Sequence, residues 1–202
     1  MKTAFATLLT LCSSVYAQLS VPGTLLNLVS KASLPNVITL EQLDNAYLLM
    51  KSLDDKQGGG FVFGEPRDVS ISVAKQCKWQ IEGAYKSCQL LISSPGALSM
   101  SILFSKFHLP SGAELYVSGR ERTIGAFVAE NNNRNHLEFA IQPMEGDSLL
   151  LNYISPLNAD EPIMEIDTVV HGFRMMGESG KCNINVKCPI GLEWVRIFLL
   201  LG

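Results

Sequence analysis

Three histidines, four cysteines beyond the first seventeen residues, and a few clustered carboxylates and asparagines carry what catalytic or ligating chemistry this chain has. His108 stands in "FHLPSG", where an apolar strand runs into a turn, and His136 follows a run of asparagines. His171, in "VVHGFR", closes a strand ahead of Gly172 and is the most suggestive of the three. No HExxH pair and no CxxC occurs, so the ligand spacing of a zinc site is missing and no metal is expected. A Gly-x-Ser-x-Gly elbow is also missing; "ESGKC" and "PSGAE" have the wrong flanks. A hydrolase in this sequence would need His171 or His108 to meet a serine and a carboxylate at about 3 Å. The pairs Asp54-Asp55 and Asp160-Glu161 read as solvated loop residues, and Arg120, Glu121 and Arg122 as an exposed charged turn. Asn131 to Asn135 imitates a calcium loop without the carboxylates that such a loop uses. Trp79, Phe104, Phe107, Tyr116, Phe127, Phe139 and Tyr153 could line a sugar-binding face, but on alternating strands they read as core. The residues thus point to no catalytic group and call for no cofactor.

The cysteines say more. Residues 1–17 combine Lys2, an apolar run from Ala4 to Leu11 and the small-residue ending "VYA", the pattern of a secretory signal peptide cleaved after Ala17. That implies export and removes Cys12, leaving Cys77, Cys88, Cys182 and Cys188, an even set that favours disulfides. "CKWQIEGAYKSC" is nearly symmetric about Glu82-Gly83. A two-residue turn there sets Ile81 against Ala84, Trp79 against Lys86 and Cys77 against Cys88, with Gly83 taking the positive φ. Opposed residues lie about 5 Å apart, which suits a cross-strand disulfide. Cys182 and Cys188 flank an alternating stretch that would hold them roughly 20 Å apart, too far to bond each other. With Cys77 and Cys88 paired, they have no partner within the 202 residues. Their thiols, beside the apolar run Ile197 to Leu201, would then link copies into disulfide-bonded oligomers.

The elements that must position these residues are mostly strands. After an irregular lead-in, "TLEQLDNAYLLMKSLDDK" predicts a helix with Thr39 and Gln42 as a capping box and Leu40, Leu43, Tyr47 and Met50 on one face. "QGGG" at 57–60 ends it and marks a boundary. Beyond it the periodicity shortens to two. Val69, Ile71 and Val73 alternate, as do Leu98, Met100, Ile102 and Phe104. Further apolar runs follow at 114–117, 124–128, 137–141, 148–154 and 163–170. Turn signals at "SSPG", "LPSG", "ENNNRN" and "MEGD" separate the runs, as in an antiparallel β-sandwich or jelly roll. The expected organisation is a signal peptide at 1–17, a lead-in and helix at 18–60, a mainly β domain at 61–176, and a distinct segment at 177–202. A formal charge of −3 with no basic run gives no electrostatic case for nucleic acid or an anionic membrane.

Several stretches together resemble the secreted trypsin-like serine endopeptidases of the lysyl-endopeptidase type. They are "LISSPGALSMSILFSKFHLPSGAELYV" (91–117), "TIGAFVAENNN" (123–133), "LEFAIQPMEGDSLLLNY" (137–153) and "DTVVHGFR" (167–174), which are similar to the region ahead of the protease domain. "SGKCNINVKCP" is similar to the start of the protease itself. The resemblance spans about residues 65–191, in order. It implies that Cys182 and Cys188 bond cysteines of a double β-barrel beyond Gly202, and that the protease domain is the natural partner of the β domain. The family's His, Asp and Ser motifs have no counterpart, so no catalytic residue carries over. After Gly191 the likeness stops, which points to a truncated trypsin-like segment. Arg174 is the nearest upstream basic residue and the expected processing site. The resulting expectation is a non-catalytic leader region of a secreted protease precursor, assisting folding or restraining activity. The rival is a self-sufficient secreted β-sandwich that binds carbohydrate or a cell-surface partner.

Overall fold

The computed structural model describes residues 20, 21, 23, 34–54, 62–133 and 137–175. The signal sequence with Ala17, the glycine run at 57–60, His136 and the segment holding Cys182 and Cys188 lie outside the described residues. The chain is mainly β. Its strands are β1 (Asn36–Thr39), β2 (Gly64–Ser72), β3 (Gln80–Glu82), β4 (Tyr85–Ser93), β5 (Ser99–His108), β6 (Glu114–Ser118), β7 (Thr123–Val128), β8 (Phe139–Glu145), β9 (Ser148–Pro156) and β10 (Ile163–Gly172). Helix α1 (Asn45–Asp54) and the single turns α2 (Val73–Gln76) and α3 (Ala129–Asn132) complete the set among the described residues.

Two sheets result. One runs β1-β4-β9-β6-β7 with β3 added to β4; the other runs β2-β10-β5-β8. All pairings are antiparallel except β1–β4, which is parallel, with Asn36 opposite Leu90 and Thr39 opposite Ser93. The stretch read as an irregular lead-in thus donates a strand to the first sheet. Alternation sorts the side chains. Cys88, Leu90 and Ile92 of β4 pair with Tyr153, Leu151 and Leu149 of β9, and all six are buried. Met100, Ile102 and Phe104 of β5 do the same in the second sheet, and one core cluster draws on both sheets. Val73, expected to continue the β2 alternation, instead opens α2 while remaining fully buried. On the other face of the first sheet, Ile154, Tyr116 and Ala126 form a smaller cluster with Val21. Val21 and Ala126 exchange two backbone hydrogen bonds, of 3.0 and 2.9 Å.

The helix starts later than its periodicity suggests. Thr39 belongs to β1, and the cap is Asp44, whose Oδ1 accepts from the amides of Ala46 (2.9 Å) and Tyr47 (3.1 Å). Counting from Asn45 moves the inward face to Asn45 and Leu48, and turns Tyr47, Met50 and Leu53 outward. Polar anchors decide that rotation: Asn45 bonds the sheet side, and Lys51 lies 3.5 Å from Glu65.

The hairpin also shifts by one residue. Ile81 faces Lys86 and Glu82 faces Tyr85, so the turn residues are Gly83 and Ala84. Gly83 has φ +60° while Ala84 does not take a positive φ, the pattern of a type II′ turn with glycine in the first central position. Cys77 consequently falls outside β3, at the C-cap of α2, and reaches Cys88 from there. The disulfide forms between the expected pair, with Cα atoms 5.5 Å apart, but from a helix end rather than a cross-strand position.

Candidate functional site

The turn after β4 begins the site. In "SPGA" the Ala97 amide donates to the Ser94 carbonyl at 3.0 Å, with Pro95 and Gly96 in the centre and Gly96 at φ +83°. A type II turn favours proline in the first of those positions and needs the positive φ that glycine supplies in the second. The turn is pinned to the β8–β9 loop, because the Ser94 amide donates to the Asp147 carbonyl at 2.8 Å. This fixes the Ser94 hydroxyl in the interior, fully buried.

His171, near the end of β10, is also fully buried. Its Nδ1 lies 2.8 Å from Ser94 Oγ and its Nε2 lies 2.8 Å from Asn45 Oδ1. Asn45 Nδ2 donates to the Gly96 carbonyl at 2.7 Å, which identifies the oxygen facing His171 as an acceptor. The imidazole therefore carries its proton on Nε2 and donates it to Asn45. Nδ1 is left as the acceptor for the Ser94 hydroxyl. Every polar atom of the group is satisfied in the neutral state. Burial lowers the His171 pKa below its ordinary value, and the charge of Arg67 on β2 adds to that. Arg67 also donates through Nη1 to the Glu41 carbonyl, just ahead of α1. A concavity of about 550 Å³ lined by Gln42, Leu43, Asp44, Asn45, Ala46 and Gly96 adjoins this network, with Asn45 and Gly96 common to both.

The arrangement has the composition of a serine–histidine–amide relay, but its hydroxyl and ring are enclosed and the third group is an amide rather than a carboxylate. What it does chemically is tie three elements together: the turn after β4 of the first sheet, β10 of the second, and α1. The sequence alone singles out His171 and locates the SSPG turn. Ser94 is there one letter of a turn signal and Asn45 one position inside a helical pattern, and no spacing links 45, 94 and 171.

The remaining candidates are dispersed. His108 ends β5 and is exposed. Asp160 and Glu161 are exposed, as are Arg120, Glu121 and Arg122. The asparagine run serves the fold, since Asn133 accepts from the Leu109 amide and donates to the Leu109 carbonyl, both at 2.8 Å. Arg174 follows β10, its amide donating to the Phe63 carbonyl at 3.2 Å. Among the described residues no group of three or more His, Cys, Asp and Glu could hold a metal ion.

Of the seven aromatics considered for a sugar-binding face, six are buried and Trp79 is exposed at 36%. Trp79 stands edge-on to Tyr153, with centroids 5.6 Å apart, and the Lys86 ammonium lies 5.8 Å from its ring. Burial pushes the Tyr153 phenol up to about 12, with the neighbouring Ser155 hydroxyl acting the other way. Neither hydroxyl reaches hydrogen-bond geometry with a described atom, so their proximity stops short of a bond. No protein-family model matches the chain, and no curated protein matches it.

Proposed function

We propose that this chain is the non-catalytic leader region of a secreted serine endopeptidase precursor of the lysyl-endopeptidase type. Its two sheets then form an antiparallel sandwich of jelly-roll character that assists folding of the protease or restrains it. The observation that carries the reading is the order of the resembling stretches along residues 65–191. It is supported by where those stretches fall. They supply the end of β4, all of β5, β7 and β8, β6 up to Val117, β9 up to Tyr153 and most of β10, strands that contribute much of the core. A leader acts through shape and surface rather than through reacting groups, and the enclosure of Ser94 and His171 fits that role. So does α1, which turns Tyr47, Met50 and Leu53 to solvent in an apolar stripe of the sort that marks protein contacts. Residues 1–17 would direct export, Arg174 would be the processing site, and Cys182 and Cys188 would bond the protease body. The carbohydrate-binding alternative calls for aromatics exposed on one sheet face, and six of the seven are inside.

The test has two arms. The purified chain, incubated with Lys- and Arg-containing peptide substrates, is expected to cleave none of them. Added to a denatured lysyl-type endopeptidase during refolding, it is expected to raise the yield of folded protease or to slow the folded enzyme. Cleavage by the chain alone, abolished by a serine-directed inhibitor, would overturn the proposal, as would an unchanged yield together with an unchanged rate.

A further inference from the structure

The group Asn45–His171–Ser94 holds α1 in place through a ring that can take up a second proton. Two contacts fasten the segment 41–45 to the second sheet: Arg67 from β2 on the Glu41 carbonyl, and His171 from β10 on the Asn45 side chain. A third joins the same asparagine to the turn after β4. We infer that this group is an acid-released latch, closed on α1 while His171 is neutral and opened when its imidazole is protonated.

The chemistry of opening follows from the donors and acceptors. A proton from solvent adds to Nδ1, the atom that accepts from Ser94. Nδ1–H must then donate to Ser94 Oγ, and the hydroxyl hydrogen loses its acceptor inside a closed site, which is costly. The new positive charge is also buried, close to the guanidinium of Arg67. Both cations now serve one short segment, and withdrawing that segment is what lets water reach the ring.

Other charged groups on the surrounding elements do not cancel this. Glu65, the residue opposite His171 on β2, is engaged by Lys51 of α1. Asp44 caps α1 with its carboxylate, and Asp147 contributes its carbonyl to the Ser94 amide. On β5, the residues paired with the end of β10 are Ser99, Met100 and Ser101, none of them charged.

The folded-state pKa of His171 lies below its ordinary 6.5, so the unfolded or opened form binds the proton more tightly. The latch contributes in full above pH 6.5, and its contribution is lost as the pH falls from there through the folded-state value.

Amide hydrogen exchange on the intact chain, corrected for the intrinsic pH dependence of exchange, reads the latch directly. Protection of α1 is expected to fall by about tenfold between pH 7.5 and pH 5, while the central strands β5 and β9 change less. Asn45→Ala, at a half-buried position, should give α1 at pH 7.5 the low protection the native chain shows at pH 5, and flatten its pH profile. Arg67→Gln keeps a donor for the Glu41 carbonyl but removes the charge, and should move the acid midpoint to higher pH. Equal α1 protection at the two pH values in the native chain would overturn the latch. So would an Asn45→Ala profile as steep as the native one, or an Arg67→Gln midpoint that stays put.

Discussion

Phe107→Ala is expected to lower the free energy of unfolding by about 3–5 kcal/mol, the range for truncating a buried phenylalanine. Phe107 is 1% exposed and stacks on Phe139 with ring centroids 4.2 Å apart and planes 19° from parallel. It also meets Phe104 edge-on at 5.3 Å. Phe139 in turn meets Phe127 edge-on at 5.3 Å. Phe104 and Phe107 come from β5 and Phe139 from β8, both in the second sheet, whereas Phe127 comes from β7 in the first. The rings therefore bridge the two sheets, and an alanine at 107 leaves a cavity that neither sheet can close without shifting its neighbour. Urea denaturation should show a lower midpoint with an unchanged slope. The adjacent and exposed Lys106→Ala should stay within about 0.5 kcal/mol of the native chain. Equal effects of the two substitutions would mean that the aromatic cluster does not join the sheets.

Loss of the disulfide is the second large effect. Cys77→Ala with Cys88→Ala should cost about 3 kcal/mol, the chain-entropy value for a closed loop of this size, given a separation of 11 residues. The loop contains α2's exit, Trp79 and the whole β3 hairpin, and among the described residues β3 pairs with β4 alone. Without the bond, the hairpin should show the greatest rise in hydrogen exchange. The β4–β9 ladder, nine residue pairs long, should keep its protection. A reducing agent added to the native chain should reproduce the double substitution. Full stability of the reduced chain would mean that packing of Trp79 on Tyr153, rather than the bond, holds the hairpin.

Most strands were legible because a half-buried strand must alternate, and the apolar runs at 114–117, 124–128, 148–154 and 163–170 all became strands. The Cys77–Cys88 pairing was legible for a different reason. Near-symmetry about one glycine limits how far a hairpin can slip, and even a one-residue shift left the two sulfurs within reach. Where local rules erred, a competing local solution won. Asp44 caps more directly than Thr39, which β1 had claimed for the parallel ladder. A glycine preceding alanine favours the type II′ turn over a turn centred on Glu82-Gly83.

Unaided, then, the order of residues determined the β character, the sulfur pair, the turn glycines and the choice of His171 as the histidine to watch. Those features depend on neighbours along the chain, where periodicity two, a proline–glycine step or a symmetric hairpin acts over a dozen residues. The rotation of α1 and the meeting of Asn45, Ser94 and His171 were decided only by the tertiary structure. Those residues lie 126 and 77 positions apart in the chain. They come together because two sheets with a common core bring the end of β10 beneath the turn after β4, and the helix then turns its one suitable amide inward to satisfy both. Burial makes that requirement strict, since a polar ring enclosed among strands must find its partners within hydrogen-bond distance or not be there.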